Sequence, residues 1–241
     1  MLRATSVALL VIGACTPSSG STSPVPADTG NRVQERQQMV HAQIEARGVT
    51  DARVLAAMRK VPRHRFMPES QRPYAYDDRP LPIGQAQTIS QPYIVALMSE
   101  LAAVKPGDTV LEVGTGSGYQ AAILAEMGAK VFSIEIVASL AQRAKAILDV
   151  LGYGGSVEVR HGDGYAGWPE RAPFDAIVVT AAPPKIPEPL KQQLEVGGRL
   201  VIPVGKDFQS LLRVTRTEDG FREESVIPVR FVPMTGKAQE N

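Results

Sequence analysis

The stretch Thr109-Val-Leu-Glu-Val-Gly-Thr-Gly-Ser-Gly-Tyr119 constrains the fold of this chain more than any other. Val110, Leu111 and Val113 form a short apolar run that breaks into alternating glycines, and Gln120-Ala-Ala-Ile-Leu-Ala-Glu126 follows. The segment reads as strand, tight turn and helix, the opening of a nucleotide-binding βαβ unit. Gly114, Gly116 and Gly118 let the backbone turn sharply and approach a ligand, with the first amides of the helix directed at it. Three alternating glycines alone are equally a turn that merely needs glycine. Lys130-Val-Phe-Ser-Ile134 adds a second strand ended by Glu135. An acid about 20 residues beyond such glycines, at the tip of strand two, is placed to accept hydrogen bonds from ribose hydroxyls.

The spacing is Gly-x-Gly-x-Gly, not the dinucleotide Gly-x-Gly-x-x-Gly, and Glu112 precedes the first glycine by two residues. This disfavours NAD and resembles the S-adenosylmethionine-dependent methyltransferases, which implies an α/β fold of the Rossmann-like class I type: a mostly parallel sheet flanked by helices. A chain of 241 residues accommodates one such domain with extensions, and 44% hydrophobic residues supply its core. With 26 basic against 25 acidic residues there is no general electrostatic reason to expect nucleic acid as a partner. Aromatic residues are sparse and interleave with no basic run, which counts against a single-strand stacking platform.

Residues 1–15 read as a secretory signal: a basic start at Arg3, then an apolar run through Ala14 that is too short to span a bilayer. The run ends in Ile12-Gly-Ala-Cys15, which resembles the bacterial lipoprotein cleavage box, where the cysteine is lipidated. Cys15 is the only cysteine, so the mature domain carries no disulfide. Residues 16–30, rich in Ser, Pro, Gly and Thr, are expected to be a flexible tether with a reach of roughly 20 Å. The expected location is periplasmic and lipid-anchored, or cytoplasmic if the leader is not used. The folded domain is expected over residues 31–241.

Asn31 is placed to cap a first amphipathic helix, with Val33, Val40 and Ile44 toward the core and Gly48 at its end. Thr50 or Asp51 caps a second, Ala52 to Lys60. A long irregular stretch follows from Arg63, and a loop of this length suggests a substrate wall. The Arg63-His-Arg65 cluster reads by default as a solvated face, with a local contact to an acidic peptide as the alternative. After Gly84-Gln-Ala-Gln-Thr-Ile-Ser-Gln-Pro92, apolar residues recur at helical spacing to Val104. Ser90 stands at the N-cap position, where spacing alone favours a capping hydroxyl slightly over a catalytic one; the two roles are compatible, since a helix N-terminus also attracts a carboxylate.

The Gly84 to Pro92 segment upstream of Leu111-Glu-Val-Gly-Thr-Gly-Ser-Gly-Tyr119 resembles the protein-L-isoaspartate O-methyltransferases. Val61-Pro-Arg-His-Arg-Phe66, Pro173-Phe-Asp-Ala-Ile-Val-Val-Thr-Ala-Ala182, Leu190 to Val204 and Phe231-Val-Pro-Met234 follow in the family order, so the likeness runs from about Arg32 to Met234. The resemblance implies S-adenosylmethionine as cofactor, with contacts from Glu112, Gly114, Thr115, Gly116, Ser117, Gly118, Glu135, Asp163 and Gly164. It implies isoaspartyl proteins and peptides as substrates, held by Thr88, Ile89, Ser90, Ala181, Ala182 and Val232, with Ser90 in the active-site role. Asp163 is equally a turn residue on sequence alone. A methyltransferase for another carboxylate, or a tethered cofactor-binding lipoprotein without turnover, remains an alternative.

Downstream, Ser156 to Arg160 and Asp175 to Thr180 read as strands, and Leu190 to Glu195 as a helix closed by Gly197-Gly198 before a strand from Arg199. Ser210 to Thr215 and Phe221 to Phe231, separated by Glu218-Asp-Gly220, predict an antiparallel edge. The tail from Thr235 is expected to fray. His41, His64 and His161 are widely separated, so no metal site is expected.

Overall fold

The computed structural model describes residues 1–2 and 30–240; the expected leader beyond residue 2, the tether to residue 29 and Cys15 lie outside them. Seven strands form the main sheet: β3 (Thr109–Val113), β4 (Lys130–Glu135), β5 (Val157–His161), β6 (Phe174–Val179), β7 (Leu194–Val204), β8 (Gln209–Thr217) and β9 (Gly220–Val229), in the order β5-β4-β3-β6-β7-β8-β9. The first five are mutually parallel, and β8 and β9 add the expected antiparallel edge. The strands are near-continuous apolar runs because both faces are covered. Val110, Val131, Val178 and Val201 enter one core cluster, whereas Leu111, Phe132, Val179 and Ile202 enter the other.

From β3 the chain builds β4 and β5 on one side and then returns to place β6 on the other. Strand order therefore reverses between β3 and β6, and a crevice opens beyond their carboxyl ends, where α/β sheets bind ligands. The helices α3 (Pro92–Ala102) and α4 (Tyr119–Glu126) contribute to its walls, α5 (Ala138–Val150) links β4 to β5, and the short α6 (Glu188–Gln192) precedes β7.

Several expectations are corrected. Asn31 is not the N-cap: α1 (Gly30–Met39) already includes it, and the helix continues through a π turn and a 3-10 turn to Gly48, whose φ of 92° ends it. Asp51 does cap α2 (Ala52–Lys60), accepting from the amides of Arg53 at 2.8 Å and Val54 at 3.3 Å. The long irregular stretch contains two 3-10 turns and a hairpin, β1 (Leu81–Gly84) and β2 (Gln87–Ile89). The turn between them puts Gln85 and Ala86 both at φ 54°, a conformation that normally selects Asn-Gly, so the hairpin left no turn signature.

Arg63 is not on a solvated face. It is fully buried, donates from Nε to Ala75 O at 2.8 Å, and stands over the Tyr119 ring, 5.0 Å from its centroid. Burial lowers its pKa to about 10. The helix before β7 stops at Gln192, so Gly197 and Gly198 lie inside β7, beside the register shift that separates its pairing with Phe174 from that with Ala176. The tail does not fray from Thr235: Gly236–Gln239 form a 3-10 turn that buries Ala238.

Candidate active site

The cavity at the switch point is built first from the glycine loop. The amides of Gly114 and Thr115 donate to Ile134 O at 2.8 and 3.2 Å, which ties the loop to the tip of β4. Gly114 has φ 98°, and a Cβ there would collide with the Thr180 hydroxyl, which donates to Gly114 O at 2.5 Å. Glycine is thus required by both backbone conformation and close approach. Gly116 and Gly118 also have positive φ, and Gly118 sits at the N-cap of α4. Gly164 lets a second loop press against Val113, where a Cβ would overlap that side chain. Gly114, Thr115, Gly116, Ser117 and Gly164 line the cavity.

Glu135 lines it too. Its carboxylate accepts from Gly116 N at 2.7 Å and Val137 N at 2.9 Å, so the acid is fixed against the loop, with lone pairs left for a ligand hydroxyl.

Two acids expected at the cofactor do not line the cavity. Glu112 is fully buried beneath the loop, where it accepts a short hydrogen bond from the Ser133 hydroxyl. Ser133 spends its one proton there, so the 2.5 Å bond between Thr115 and Ser133 has Thr115 as donor. The other carboxyl oxygen of Glu112 has no hydrogen-bond partner among the described residues. Burial pushes the Glu112 carboxyl up to about 8. Asp163 takes the turn-residue reading: one oxygen accepts from Tyr165 N and the other from Lys237 N, each at 2.9 Å. Its neighbour Gly164 reaches the cavity instead.

Of the residues expected to hold the substrate, Thr88, Ile89, Ser90, Ala181 and Val232 line the cavity. Ala182 does not; it is buried and serves through its backbone, donating to Val232 O and accepting from Met234 N, both at 2.8 Å. Ser90 is not the N-cap of α3. Gln91 holds that position, and no side chain caps the helix. The Ser90 hydroxyl is therefore released from capping.

A second groove adjoins the first and shares Thr88, Ser90, Thr180 and Val232 with it. Its outer walls are Tyr93 from α3 and residues 227–231, the last three residues of β9 and the two that follow it. Arg47 lies on the Tyr93 ring at 3.5 Å from its centroid and bonds Asp78 at 3.0 Å. From the long stretch after Arg63, Pro80 and Gln87–Gln91 reach the cavities, whereas Tyr76 is buried. Thr180 was legible only as the end of a strand, yet it stands in both cavities and fastens the glycine loop. Among the described residues no cluster of His, Cys, Asp and Glu is arranged to hold a metal ion, and no helix is long and apolar enough to cross a membrane.

A family profile described as protein-L-isoaspartate(D-aspartate) O-methyltransferase matches residues 34–239. The chain is 61% identical over 206 residues to a protein-L-isoaspartate O-methyltransferase of Gloeobacter violaceus, covering 84% of this chain and 100% of that one. It is 54% identical over 223 residues to protein-L-isoaspartate O-methyltransferase 1 of Rhodopseudomonas palustris, covering 91% of each. Among solved structures it is similar to a protein-L-isoaspartate O-methyltransferase with a TM-score of 0.75 at 28% identity, over 86% of this chain and 67% of that one. A Plasmodium falciparum structure, described as a beta-aspartate methyltransferase in complex with S-adenosyl-L-homocysteine, matches with a TM-score of 0.73 at 27% identity, over 83% and 98%.

Proposed function

Because the chain belongs to the protein-L-isoaspartate(D-aspartate) O-methyltransferase family, we propose that the glycine-loop cavity holds the cofactor, the adjoining groove holds the peptide, and Ser90 works where they meet. The enzyme transfers a methyl group from S-adenosylmethionine to the free α-carboxylate of isoaspartyl residues in damaged proteins. The observation that carries the assignment of roles is the sharing of Thr88, Ser90, Thr180 and Val232 by both cavities.

The residues present fit the cofactor. Gly116, at φ 52°, offers backbone without a side chain to the cavity, the N-terminus of α4 offers amides, and Glu135 offers a fixed carboxylate suited to ribose hydroxyls. When bound, S-adenosylmethionine supplies a methyl group on a sulfonium, with a neutral thioether as leaving group. The acceptor carboxylate, with a pKa near 4, is already ionised at neutral pH, so the chain need supply no general base. Its task is to orient and to dry the acceptor. Ser90 donates a hydrogen bond to the carboxylate and fixes its direction, while Ile89 and Val232 present apolar surface that excludes water from it. Thr180 holds the loop and the groove at a constant separation, its hydroxyl donating to Gly114 O and its amide to Val113 O. The neighbouring backbone nitrogen attacks the methyl ester formed and expels methanol, which carries off the amide proton, and water opens the resulting succinimide partly to normal aspartate without the enzyme.

The test is methyl transfer from labelled cofactor to paired peptides that differ only in isoaspartyl or aspartyl linkage. Base-labile label on the isoaspartyl member alone is expected; equal labelling of both, or of neither, refutes the assignment.

We further propose that the chain is exported and held at a membrane in the periplasm through a lipidated Cys15, on the strength of the basic start, the apolar run and the Ile12-Gly-Ala-Cys15 box. Mass spectrometry of the mature N-terminus is expected to find lipid on Cys15; an unprocessed Met1 would place the enzyme in the cytoplasm instead.

A further inference from the structure

Beyond Val229 the chain leaves β9 and runs between the two cavities as Phe231-Val-Pro-Met234. It is fastened from two sides. On the cofactor side the backbone of Ala182 bonds Val232 O and Met234 N, each at 2.8 Å. On the peptide side, among the described residues, no backbone group pairs with Phe231. The side chain of Gln209 does so twice: Phe231 N donates to Oε1 at 2.6 Å, and Nε2 donates to Phe231 O at 3.2 Å.

Gln209 opens β8, and its backbone stands opposite Val229 in the last rung of the β8 and β9 ladder. A primary amide carries one acceptor and a donor in the same plane, as a peptide group does. The side chain of Gln209 therefore extends the ladder to a residue the backbone no longer reaches. Phe231 lines the peptide groove alone, whereas Val232, one peptide bond on, lines both cavities.

We propose that Gln209 is a positioning residue for the peptide groove: its side-chain amide sets the height of Phe231 and through it holds Val232 against the acceptor. This rests on the reading of that groove as the peptide site. The Ala182 bonds remain when Gln209 is altered, so the cofactor side stays fastened. A glutamate at 209 keeps the acceptor for Phe231 N and loses the donor; a methionine of similar length loses both.

The experiment uses the full chain and its Gln209→Met and Gln209→Glu variants. Exchange of the Phe231 amide is followed by NMR, S-adenosylhomocysteine affinity by calorimetry, and isoaspartyl peptide affinity by anisotropy on the protein saturated with S-adenosylhomocysteine. In Gln209→Met the Phe231 amide exchanges faster and the peptide Kd rises about tenfold, the size expected for one to two lost hydrogen bonds. The S-adenosylhomocysteine Kd stays within about twofold of wild type on the same scale. In Gln209→Glu the Phe231 amide stays protected and the peptide Kd is intermediate. An unchanged Phe231 exchange rate, an unchanged peptide Kd, or parallel losses of peptide and cofactor affinity overturn the proposal. A wild-type protein that binds the peptide without methylating it would sink the assigned reaction and leave the clamp standing; one that binds no peptide would sink both.

Discussion

The proposed cofactor cradle and peptide groove share Thr88, Ser90, Thr180 and Val232, yet the chain makes them in different ways. The cradle is centred on one run, β3 through the tip of β4, and residues 87–90, Gly164 and 232–235 close it. Its shape is held by backbone bonds to Ile134, by glycines at positive φ, and by the buried Thr115, Ser133 and Glu112 series beneath. The groove is assembled from five parts of the chain far apart in sequence, Arg47, Pro80, residues 88–94, Thr180 and 227–232, and side chains join them. A cradle of the first kind has its shape before any ligand arrives. The groove depends on fastenings that single substitutions can release.

That contrast is broken most severely by Gly114→Ala. The added Cβ meets the Thr180 hydroxyl and the backbone must keep φ 98°, so strain and overlap fall on both structures at once. Affinity for S-adenosylhomocysteine, read by calorimetry, is expected to fall about a hundredfold. An affinity within threefold of wild type would mean that the cradle is not held by this contact.

Glu112→Gln sharpens the comparison, because it alters only the layer under the cradle and keeps an acceptor for Ser133. The Glu112 carboxyl sits at about 8 in the folded chain against an ordinary 4.5, so between those values the folded state holds a proton that the unfolded state has released. Stability of the wild type therefore falls as pH rises through that window, and the variant lacks this contribution. The Tm of the variant relative to wild type is expected to climb from pH 5 to pH 8; parallel pH profiles would contradict the buried, protonated carboxyl.

Asp163→Asn is the mildest change. It removes the acceptor for Lys237 N at the tail, at a cost of about 1 kcal/mol, and leaves Gly164 in the cradle. Faster exchange of the Lys237 amide with little change in cofactor affinity is expected, whereas an affinity loss as large as that of Gly114→Ala would return Asp163 to the cofactor.

The same contrast explains what could be read from the chain. The glycines, Glu135 and the alternation of strands with helices lie within local periodicity, so the cradle was legible. Glu112 was misplaced because it stands inside β3, two residues short of Gly114, and is buried against Ser133 beneath the loop, whereas Val113 and Gly114 reach the cavity. Ser90 was set one residue too close to the helix, although Pro92 at the first helical position moves the cap to Gln91. Arg63 looked exposed because charge clusters usually are, and only the tertiary packing over Tyr119 buries it. Gln209 carried no local signal at all, since its partner lies 22 residues away and outside the strand ladder.

The separation of cradle from groove is tested most directly at the residue on their border. For Ser90→Ala, S-adenosylhomocysteine affinity and methyl transfer to an isoaspartyl peptide should be measured on the same samples. On the proposed division the Ser90 hydroxyl orients the acceptor and does not hold the cofactor, so kcat/KM is expected to fall roughly ten- to a hundredfold while the cofactor Kd stays unchanged. A loss of cofactor affinity equal to the loss of rate would contradict that division.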